Sequence, residues 1–449
     1  MKELKSPFDN LPSLSQEEAL KILCTPINKL ELASDYYKAA FHLSKFPGPL
    51  TERALLRLVE SESSELPVVI ARKKAVEGLA RLRCIAAIPA IGRCLTSSDP
   101  YLVEISAWAL QELDCQDPDL HQVMMSLLDD RKQHRRVLIQ SLACLGVVSA
   151  APRIKSLQDD ATPGVRGAAL AAMFRLCGHR DRLLELELHL ALPVQVDRHL
   201  AIQDVIDAGE FDLLKATLRA PVSPTFRMRA LNALWPEEVG QQNGLDLLVV
   251  LDALMRDDPD DLDLVHRYDE SPTDAFLIEE LFGTDFSRCY LAVQTLRSRN
   301  PKELWPLLLK CWERAKKDYG AIYFFMILFR CITDWPETAQ QKIQDFCFFA
   351  LDRRWPDFIK FKPASILTLM QYSPEIGCSN LSQWLNPEMS PYWACRYAAL
   401  LAIEPLLHLE GWGALLENVA SNNEDPHRFV RAKANSLEMN CIGASPPAS

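Results

Sequence analysis

A short apolar motif recurs through the first half of the chain at a nearly constant interval. Matching apolar positions lie 31 or 32 residues apart and are occupied by Leu79, Leu110, Leu142, Phe174 and Ile206. A fixed period of this length is typical of proteins built from paired helices, in which neighbouring pairs cover the apolar face of each pair. The repeat therefore predicts an all-α chain of stacked helical hairpins.

Arginine recurs with the same period, near the predicted start of the second helix of each unit. A cation is unfavourable at a helix N-terminus, so we expect each arginine to pair with an acid of the adjacent repeat. The period is shorter than that of most HEAT or armadillo repeats, and the Trp/Gly/Tyr pattern of tetratricopeptide repeats is missing. We predict a HEAT-like α-solenoid. The column consists of Arg72, Arg135, Arg166, Arg198 and Arg229, with Glu104 interrupting it.

The regularity of the repeat suggests four regions. Residues 1–65 are predicted to form a helical cap, residues 66–240 the regular repeats, and residues 241–440 irregular helical repeats. Residues 441–449 are predicted to be a disordered tail. The acidic stretch "RDDPDDLDLVHRYDESPTD" (256–274) is predicted to be a loop or hinge between repeats, and "DPHRFVRAKANSL" (425–437) a final repeat helix with Arg431 at its start.

Composition excludes several classes of protein. A net charge of −11 disfavours broad binding to nucleic acid or anionic membranes. The polar N-terminus is no signal peptide, and the run "AIYFFMILF" (321–329) is too short to span a bilayer, so a buried helix is expected. The 13 cysteines show no metal-binding spacing, which indicates reduced thiols in a cytoplasmic protein. Motifs for nucleotide, zinc or serine-hydrolase chemistry are missing, so any enzyme activity must rely on positioning and proton transfer.

The stretch "SPTFRMRALNALW" (223–235) places two arginines in the first turn of a predicted helix. Arg229 belongs to the arginine column. Arg227 points roughly 200° away from Arg229 around the helix axis. Two alternatives follow for Arg227, namely a solvated surface charge or a ligand for an anion on the concave face.

Two further clusters carry polar chemistry. Asp318 and Tyr319 are adjacent and could exchange protons with a substrate, with Trp312 on the same face if the helix is continuous. The alternative is a helix end with a solvated acid and a half-buried tyrosine. In "QVDRHLAIQD" (195–204), Arg198 and His199 follow Asp197, which shares a helix face with Asp204; structural ion pairing is the simpler interpretation there. Trp108 could line a pocket, although core packing is the default for tryptophan.

Three stretches resemble the E/F-type phycobilin lyases of cyanobacteria, particularly the long single-chain lyases and lyase-isomerases that act on phycoerythrin. These stretches are "DPYLVEISAWALQEL", "DRHLAIQDVIDAGEFDLLKATLRAPVSPTFRMRALNALW" and "SPYWACRYAAL". The most specific piece is "APVSPTFRMRALNALW". The resemblance extends over most of residues 65 to 435.

The resemblance implies that the chain binds phycoerythrobilin, a linear tetrapyrrole, as a substrate and attaches it by a thioether to a cysteine of a phycoerythrin subunit, with the α subunit expected. Some members also convert the product into phycourobilin, although the "YHCQGN"-type motif of the phycoviolobilin isomerases is missing here. No cofactor or metal is expected. The competing hypotheses are a non-catalytic adaptor or chaperone for a bilin or a subunit, and a general scaffold.

This substrate suggests roles for the clusters described above. Two propionates require cations, for which Arg227, Arg198 and His199 are the candidates. Pyrrole nitrogens suit Asp197 and Asp204, and flat conjugated rings suit Trp108 and Trp312. Asp318 and Tyr319 are the first choice for the catalytic acid/base pair.

Overall fold

The computed structural model describes residues 14–237, 240–352, 360–407 and 415–443. These residues divide into two compact units. The N-terminal unit contains residues 14–186 and 207–209, and the C-terminal unit contains residues 187–206 and those from 210 onward. The predicted boundaries after residues 65 and 240 rest on repeat regularity and stay predictions.

The N-terminal unit consists of short helices that begin at Pro, Asp or Ser turns. Proline in the first helical turn recurs because its missing N–H has no partner there in any case. The helices are α1 Gln16–Cys24, α2 Asp35–Leu43, α3 Pro49–Val59, α4 Leu66–Arg81, α5 Ile88–Cys94, α6 Pro100–Glu112, α7 Pro118–Leu127, α8 Arg135–Cys144, α9 Ala151–Ser156 and α10 Pro163–Cys177, with 3₁₀ turns at Ile27–Lys29, Ile85–Ala87, Val148–Ala150 and Leu157–Asp159.

These helices stack as the repeat predicts. Helices α2, α4, α6, α8 and α10 pack one against the next, and α3, α5, α7 and α9 each cover the following helix of that row. Leu79, Leu110 and Leu142 are buried in the core of this unit, whereas Phe174 is half-buried. The prediction of an all-α, HEAT-like α-solenoid is therefore confirmed, with the apolar column as the seam between hairpins.

Helices α11 Glu185–Leu190 and α12 Gln195–Ala208 follow in the chain and cross the division between the units. The remaining helices belong to the C-terminal unit. They are α13 Leu214–Arg219, α14 Pro224–Leu234, α15 Leu247–Arg256, α16 Asp274–Glu280, α17 Phe286–Leu296, α18 Pro301–Ala315, α19 Tyr319–Cys331, α20 Glu337–Leu351, α21 Phe361–Tyr372, α22 Pro374–Cys378, α23 Leu381–Leu385, α24 Trp393–Ile403, α25 Leu415–Ala420 and α26 Arg428–Gly443, with 3₁₀ turns at Phe211–Leu213, Pro259–Asp261 and Glu404–Leu406.

One two-stranded hairpin interrupts the helices of the C-terminal unit. Strands β1 Gln241–Gln242 and β2 Leu245–Asp246 pair antiparallel. The intervening Asn243 and Gly244 have φ values of 47° and 77°, which the tight turn of a two-residue hairpin requires.

The centre of the C-terminal unit is a row of helices in the order α17, α19, α21, α24 and α26. Residues 321–329 of α19 are all buried, as predicted for this apolar run. None of the described helices combines the length and the apolarity that crossing a membrane requires. The final repeat helix is confirmed as α26. Because α26 continues to Gly443, the predicted tail does not begin at residue 441, and its residues 444–449 lie outside the described part of the chain.

Four repeat helices carry an arginine in their first turn that contacts the chain just before the helix, and two of these arginines, Arg166 and Arg198, belong to the predicted column. The guanidinium turns back along the chain and donates to a carbonyl six residues earlier, which satisfies a backbone acceptor at the bend. The pairs, with distances of 2.6 to 2.7 Å, are Arg166 to Asp160, Arg198 to Leu192, Arg396 to Ser390 and Arg431 to Asp425.

The predicted acidic partners are present for two members of the column. Arg135 pairs with Asp160 at 2.8 Å, and Arg198 pairs with Asp285 at 2.6 Å. The prediction for Arg229 is wrong, because its exposed side chain donates to the amide oxygen of Gln203.

Candidate functional site

The structure places Asp318 and Tyr319 at a helix start. Asp318 is the N-cap of α19, and its carboxylate accepts the backbone N–H of Ala321 at 3.0 Å. Tyr319 is half-buried and stacks on Phe361, with ring centroids 6.0 Å apart. This arrangement matches the structural alternative stated for the pair, a helix end, while their catalytic role stays a prediction.

Trp312 does not share a helix face with Tyr319, because α18 ends at Ala315 and α19 begins at Tyr319. Its side chain is 2% exposed and stacks on Phe346 with centroids 3.9 Å apart, inside the aromatic core. Trp108 is half-buried and packs against the core of the N-terminal unit. Both tryptophans thus contribute to packing.

We expect Asp318→Ala to lower the free energy of unfolding by about 1 kcal/mol, because it removes a helix cap. Asp318→Asn should stay close to wild type, because asparagine caps equally well. Urea denaturation measures both. Unchanged rate and product with Asp318→Asn and with Tyr319→Phe would exclude the predicted acid/base pair.

Helix α12 carries the second predicted cluster. Arg198 is fully buried between Asp285 and the carbonyls of Leu192 and Pro193. His199 is half-buried and stacks on Phe226 at 4.1 Å; burial and the charge of Arg198 lower its pKa.

The two predicted aspartates lie on this one helix, seven residues apart. Asp204 is 1% exposed, whereas Asp197 is half-buried. A shared contact of Asp197 and Asp204 with pyrrole nitrogens stays a prediction.

Arg227, expected at the surface or facing a ligand, lies in the core with 2% of its surface exposed. Its guanidinium pairs with Asp257 and donates to the hydroxyl of Tyr290 at 3.2 Å and to the carbonyl of Leu218 at 3.3 Å. The expectation of a solvated charge is wrong. The cation is neutralised by a carboxylate of the protein itself.

Asp257 is the centre of this buried network. It ends α15 in the left-handed conformation, with φ 49°, and is 3% exposed. Its carboxylate accepts from Arg227, from Tyr323 and, at 2.6 Å, from Tyr290. Burial and the charge of Asp257 raise the pKa of both tyrosines well above 10, so they remain donors at any physiological pH.

Lys360 lies beside this network. Its ammonium is 4.0 Å from the ring centre of Phe286 and 5.0 Å from that of Tyr323. Burial lowers the pKa of Lys360 to about 8. A lysine in this state can exchange a proton close to neutral pH.

A cleft of about 400 Å³ lies beside the turn that follows α15. This volume lies within the range of small-molecule sites. One face of α15 forms a wall of the cleft, and the end of α19 and the acidic turn after α15 complete it. The lining residues are Val249, Asp252, Ala253, Arg256, Asp258, Asp261, Arg330 and Cys331.

Two arginines and three aspartates line the cleft. Arg330 donates through Nη2 to the backbone carbonyl of Arg256, which brings the end of α19 to the end of α15. Its Nη1 is buried with no hydrogen-bond partner among the described residues. Arg256 is exposed, and no described carboxylate forms an ion pair with either arginine. The cleft can therefore bind an anion with two carboxylates.

The carboxylates of the cleft differ in their partners. Asp252 is held by Lys433 at 2.8 Å and by the hydroxyl of Tyr397 at 2.7 Å. Asp258 pairs with Arg297 at 3.3 Å. Asp261 is exposed and forms no ion pair with any described residue; partial burial and the charge of Asp258 raise its pKa.

Cys331 is the thiol of the cleft. Its side chain is half-buried, and burial raises its pKa to about 11. All twelve described cysteines are free, as the sequence indicated.

Sequence reasoning missed this site. None of the nine predicted site residues lines the cleft. The available signal was "RDDPDD" (256–261), an acidic run that follows an arginine, inside the stretch predicted to be a loop or hinge between repeats. Arg330 and Arg256 are 74 residues apart, and only the folded chain brings them together.

Stacked helical hairpins with a cleft lined by arginine and aspartate define a helical repeat protein with a candidate small-molecule site. No protein-family model matches the sequence. The chain is 40% identical over 406 residues to the bilin biosynthesis protein CpeY of Synechococcus sp. (strain WH8020). The aligned region covers 89% of this chain and 96% of that protein. It is 33% identical over 434 residues to the uncharacterized phycocyanin operon protein Y of Pseudanabaena tenuis (strain PCC 7409), covering 96% and 99%.

Among solved structures, the complex of CpcE and CpcF of phycocyanin lyase from Nostoc sp. PCC7120 is similar. It shares 24% identity and a TM-score of 0.46 over 57% of this chain and 98% of that chain. The two sequence relatives, by identity and coverage, show the family. The chain belongs to the E/F-type phycobilin lyase family.

Proposed function

We propose that this protein attaches phycoerythrobilin through a thioether to a cysteine of a phycoerythrin subunit, the α subunit in particular. The observation that carries the proposal is the cleft with two unpaired guanidinium groups, in a chain 40% identical over most of its length to a bilin biosynthesis protein. Phycoerythrobilin carries two propionates, which such a pair of cations matches. We place the reaction in the cytoplasm.

The chemistry requires orientation and proton transfer. The thiol of the client subunit adds across the ethylidene double bond of ring A, so that sulfur bonds to the exocyclic carbon and a proton is added to the ring carbon. The S–H bond breaks and the reaction is redox-neutral. A site that orients both partners can supply several orders of magnitude in rate, and a positioned acid or base adds roughly 10² to 10⁴.

We further propose that attachment is accompanied by isomerisation to phycourobilin. This conversion removes a proton at one carbon and adds one at the bridge between rings, again without an oxidant or reductant. It therefore needs a group that both gives and accepts a proton near neutral pH. The cleft contains one exposed carboxyl without an ion-pair partner among the described residues, Asp261, to which we assign this role.

The test is to produce the chain together with phycoerythrobilin and a phycoerythrin α subunit in one cell. The subunit is then purified and denatured, its absorption spectrum recorded, and its tryptic bilin peptide weighed. A covalent adduct with the shorter-wavelength urobilin spectrum supports the full proposal. An adduct with the erythrobilin spectrum removes the isomerisation, and no adduct on any α or β subunit would favour a non-catalytic adaptor or chaperone.

A further inference from the structure

We propose that the cleft between α15, α19 and the acidic turn is the bilin site, in which Arg256 and Arg330 bind the two propionates and Asp261 moves the reacting proton. This inference rests on the proposed function and assigns its residues. It replaces Arg227 and Arg198, whose guanidinium groups are already occupied by Asp257 and Asp285 inside the core.

The first support is the hydrogen-bonding state of Arg330. One terminal nitrogen donates to the carbonyl of Arg256, which fixes the guanidinium plane at the end of α15. The other, Nη1, is buried and has no acceptor in the described chain. Buried donors normally have a partner, and Arg330 lines the cleft, so we infer that a ligand carboxylate supplies the missing acceptor after a small adjustment of the side chain.

The second support is the face that α15 presents to the cleft. Val249, Asp252, Ala253 and Arg256 follow the i, i+3, i+4, i+7 spacing of one helix face. Val249 is 67% exposed, so an apolar surface lies on the same wall as the cation. A conjugated ring system with charged side arms fits this combination of surfaces.

The third support is the distribution of ion pairs along the acidic turn. Arg297 neutralises both Asp258 and Asp260, and Gln294 also donates to Asp260 at 2.7 Å. Asp261, adjacent to them and lining the cleft, has no such partner among the described residues. The turn therefore leaves one carboxyl available to a substrate.

The charges facing Asp261 set its protonation. Burial and the neighbouring Asp258 and Asp260 raise its pKa, whereas Arg219 and Arg227 act in the opposite direction, and the net shift is upward. Asp261 is exposed in the cleft and has no ion-pair partner among the described residues, so its carboxyl can reach a bound substrate. In the addition, protonated Asp261 gives its proton to the ring carbon while sulfur bonds to the exocyclic carbon. The thiol proton returns to the carboxylate, directly or through solvent. One S–H bond and one C=C π bond are thereby replaced by one C–S and one C–H bond.

Binding is tested first, with the full chain and free phycoerythrobilin followed by absorption and fluorescence titration. We expect Arg256→Gln and Arg330→Gln each to weaken binding tenfold or more. Binding of the dimethyl ester of the same bilin should change less than threefold, because it lacks the carboxylates. Arg267→Gln is the matched control, since Arg267 is an exposed arginine of the same unit outside the cleft.

Wild-type affinity in both cleft variants would overturn the assignment. Because Arg330 also caps α15, thermal denaturation of Arg330→Gln separates misfolding from loss of a ligand contact. Arg256 is exposed and makes no such contact, so Arg256→Gln alone keeps the proposal testable.

Proton transfer is tested with Asp261→Asn in the co-production assay. We expect bilin affinity to stay within about threefold of wild type, while the rate of adduct formation falls at least tenfold at neutral pH. Asp269→Asn, an exposed acid of the same loop, should react as wild type. An unchanged rate for Asp261→Asn would remove Asp261 from the reaction.

Failure of the lyase function and failure of the site assignment give different experimental results. If the wild-type chain binds the bilin through Arg256 and Arg330 but transfers it to no subunit, the lyase function fails and the site stands. If transfer occurs and the cleft variants bind and react as wild type, the lyase function stands and the site is elsewhere.

Discussion

Asp257→Asn is expected to lower the free energy of unfolding of the C-terminal unit by about 3–5 kcal/mol, the range for breaking a buried ion pair. The substitution removes the charge that compensates Arg227, which is 2% exposed, and weakens the acceptor of Tyr290 and Tyr323. Asparagine tolerates the left-handed φ of 49° at this position, so the backbone contributes little to the loss.

Urea denaturation followed by tryptophan fluorescence measures this effect, because Trp108 is the one tryptophan of residues 14–186 and the others lie in the second unit. Asp269→Asn, at an exposed position, should change stability by less than about 0.5 kcal/mol. Adding Arg227→Met to Asp257→Asn should recover part of the loss, since the uncompensated buried cation is then gone. A loss below about 1 kcal/mol for Asp257→Asn would show that the network is solvated.

Arg396→Met is the second substitution with a large expected effect, again about 3–5 kcal/mol. Arg396 and Asp425 form two parallel bonds of 2.6 and 2.9 Å, and their side chains are 3% and 0% exposed. Without the guanidinium, Asp425 would be a buried, unpaired carboxylate, and the carbonyl of Ser390 would lose a donor.

The chain offers a matched control for Arg396. Arg219 makes the same kind of paired contact to Asp263, but the two side chains are 48% and 59% exposed. Arg219→Met should cost less than about 1 kcal/mol, because solvent screens an exposed pair. Similar losses for the two variants would mean that burial does not set the strength of these pairs.

The fold was readable from the sequence because its signal is periodic. The buried Leu79, Leu110 and Leu142 repeat at the interval that stacked hairpins impose, so one pattern determines both the helix type and the packing. The burial of α19 could also be predicted, because a helix that is apolar on every face has no polar face to expose to solvent.

The surroundings of the arginines could not be predicted from the sequence. The separation of Arg227 and Arg229 around α14 follows from helix geometry, but which of them faces the core depends on where Asp257 lies, 30 residues later. The acidic stretch 256–274 is predicted to be a loop or hinge, and its part in the cleft was missed for the same reason. Its polarity describes a loop, and the contact that makes it a cleft comes from Arg330, which is distant in sequence.

Cys331 lines the cleft, but its thiol is poorly suited to react with a bound bilin. An electrophilic bilin held in the cleft would meet this sulfur, the protein's own, before any client arrived. With its pKa raised to about 11, only about one Cys331 in ten thousand is a thiolate at pH 7. Since thiolates are the nucleophiles, the cleft can hold a reactive chromophore next to a cysteine and still leave it for the sulfur of another protein.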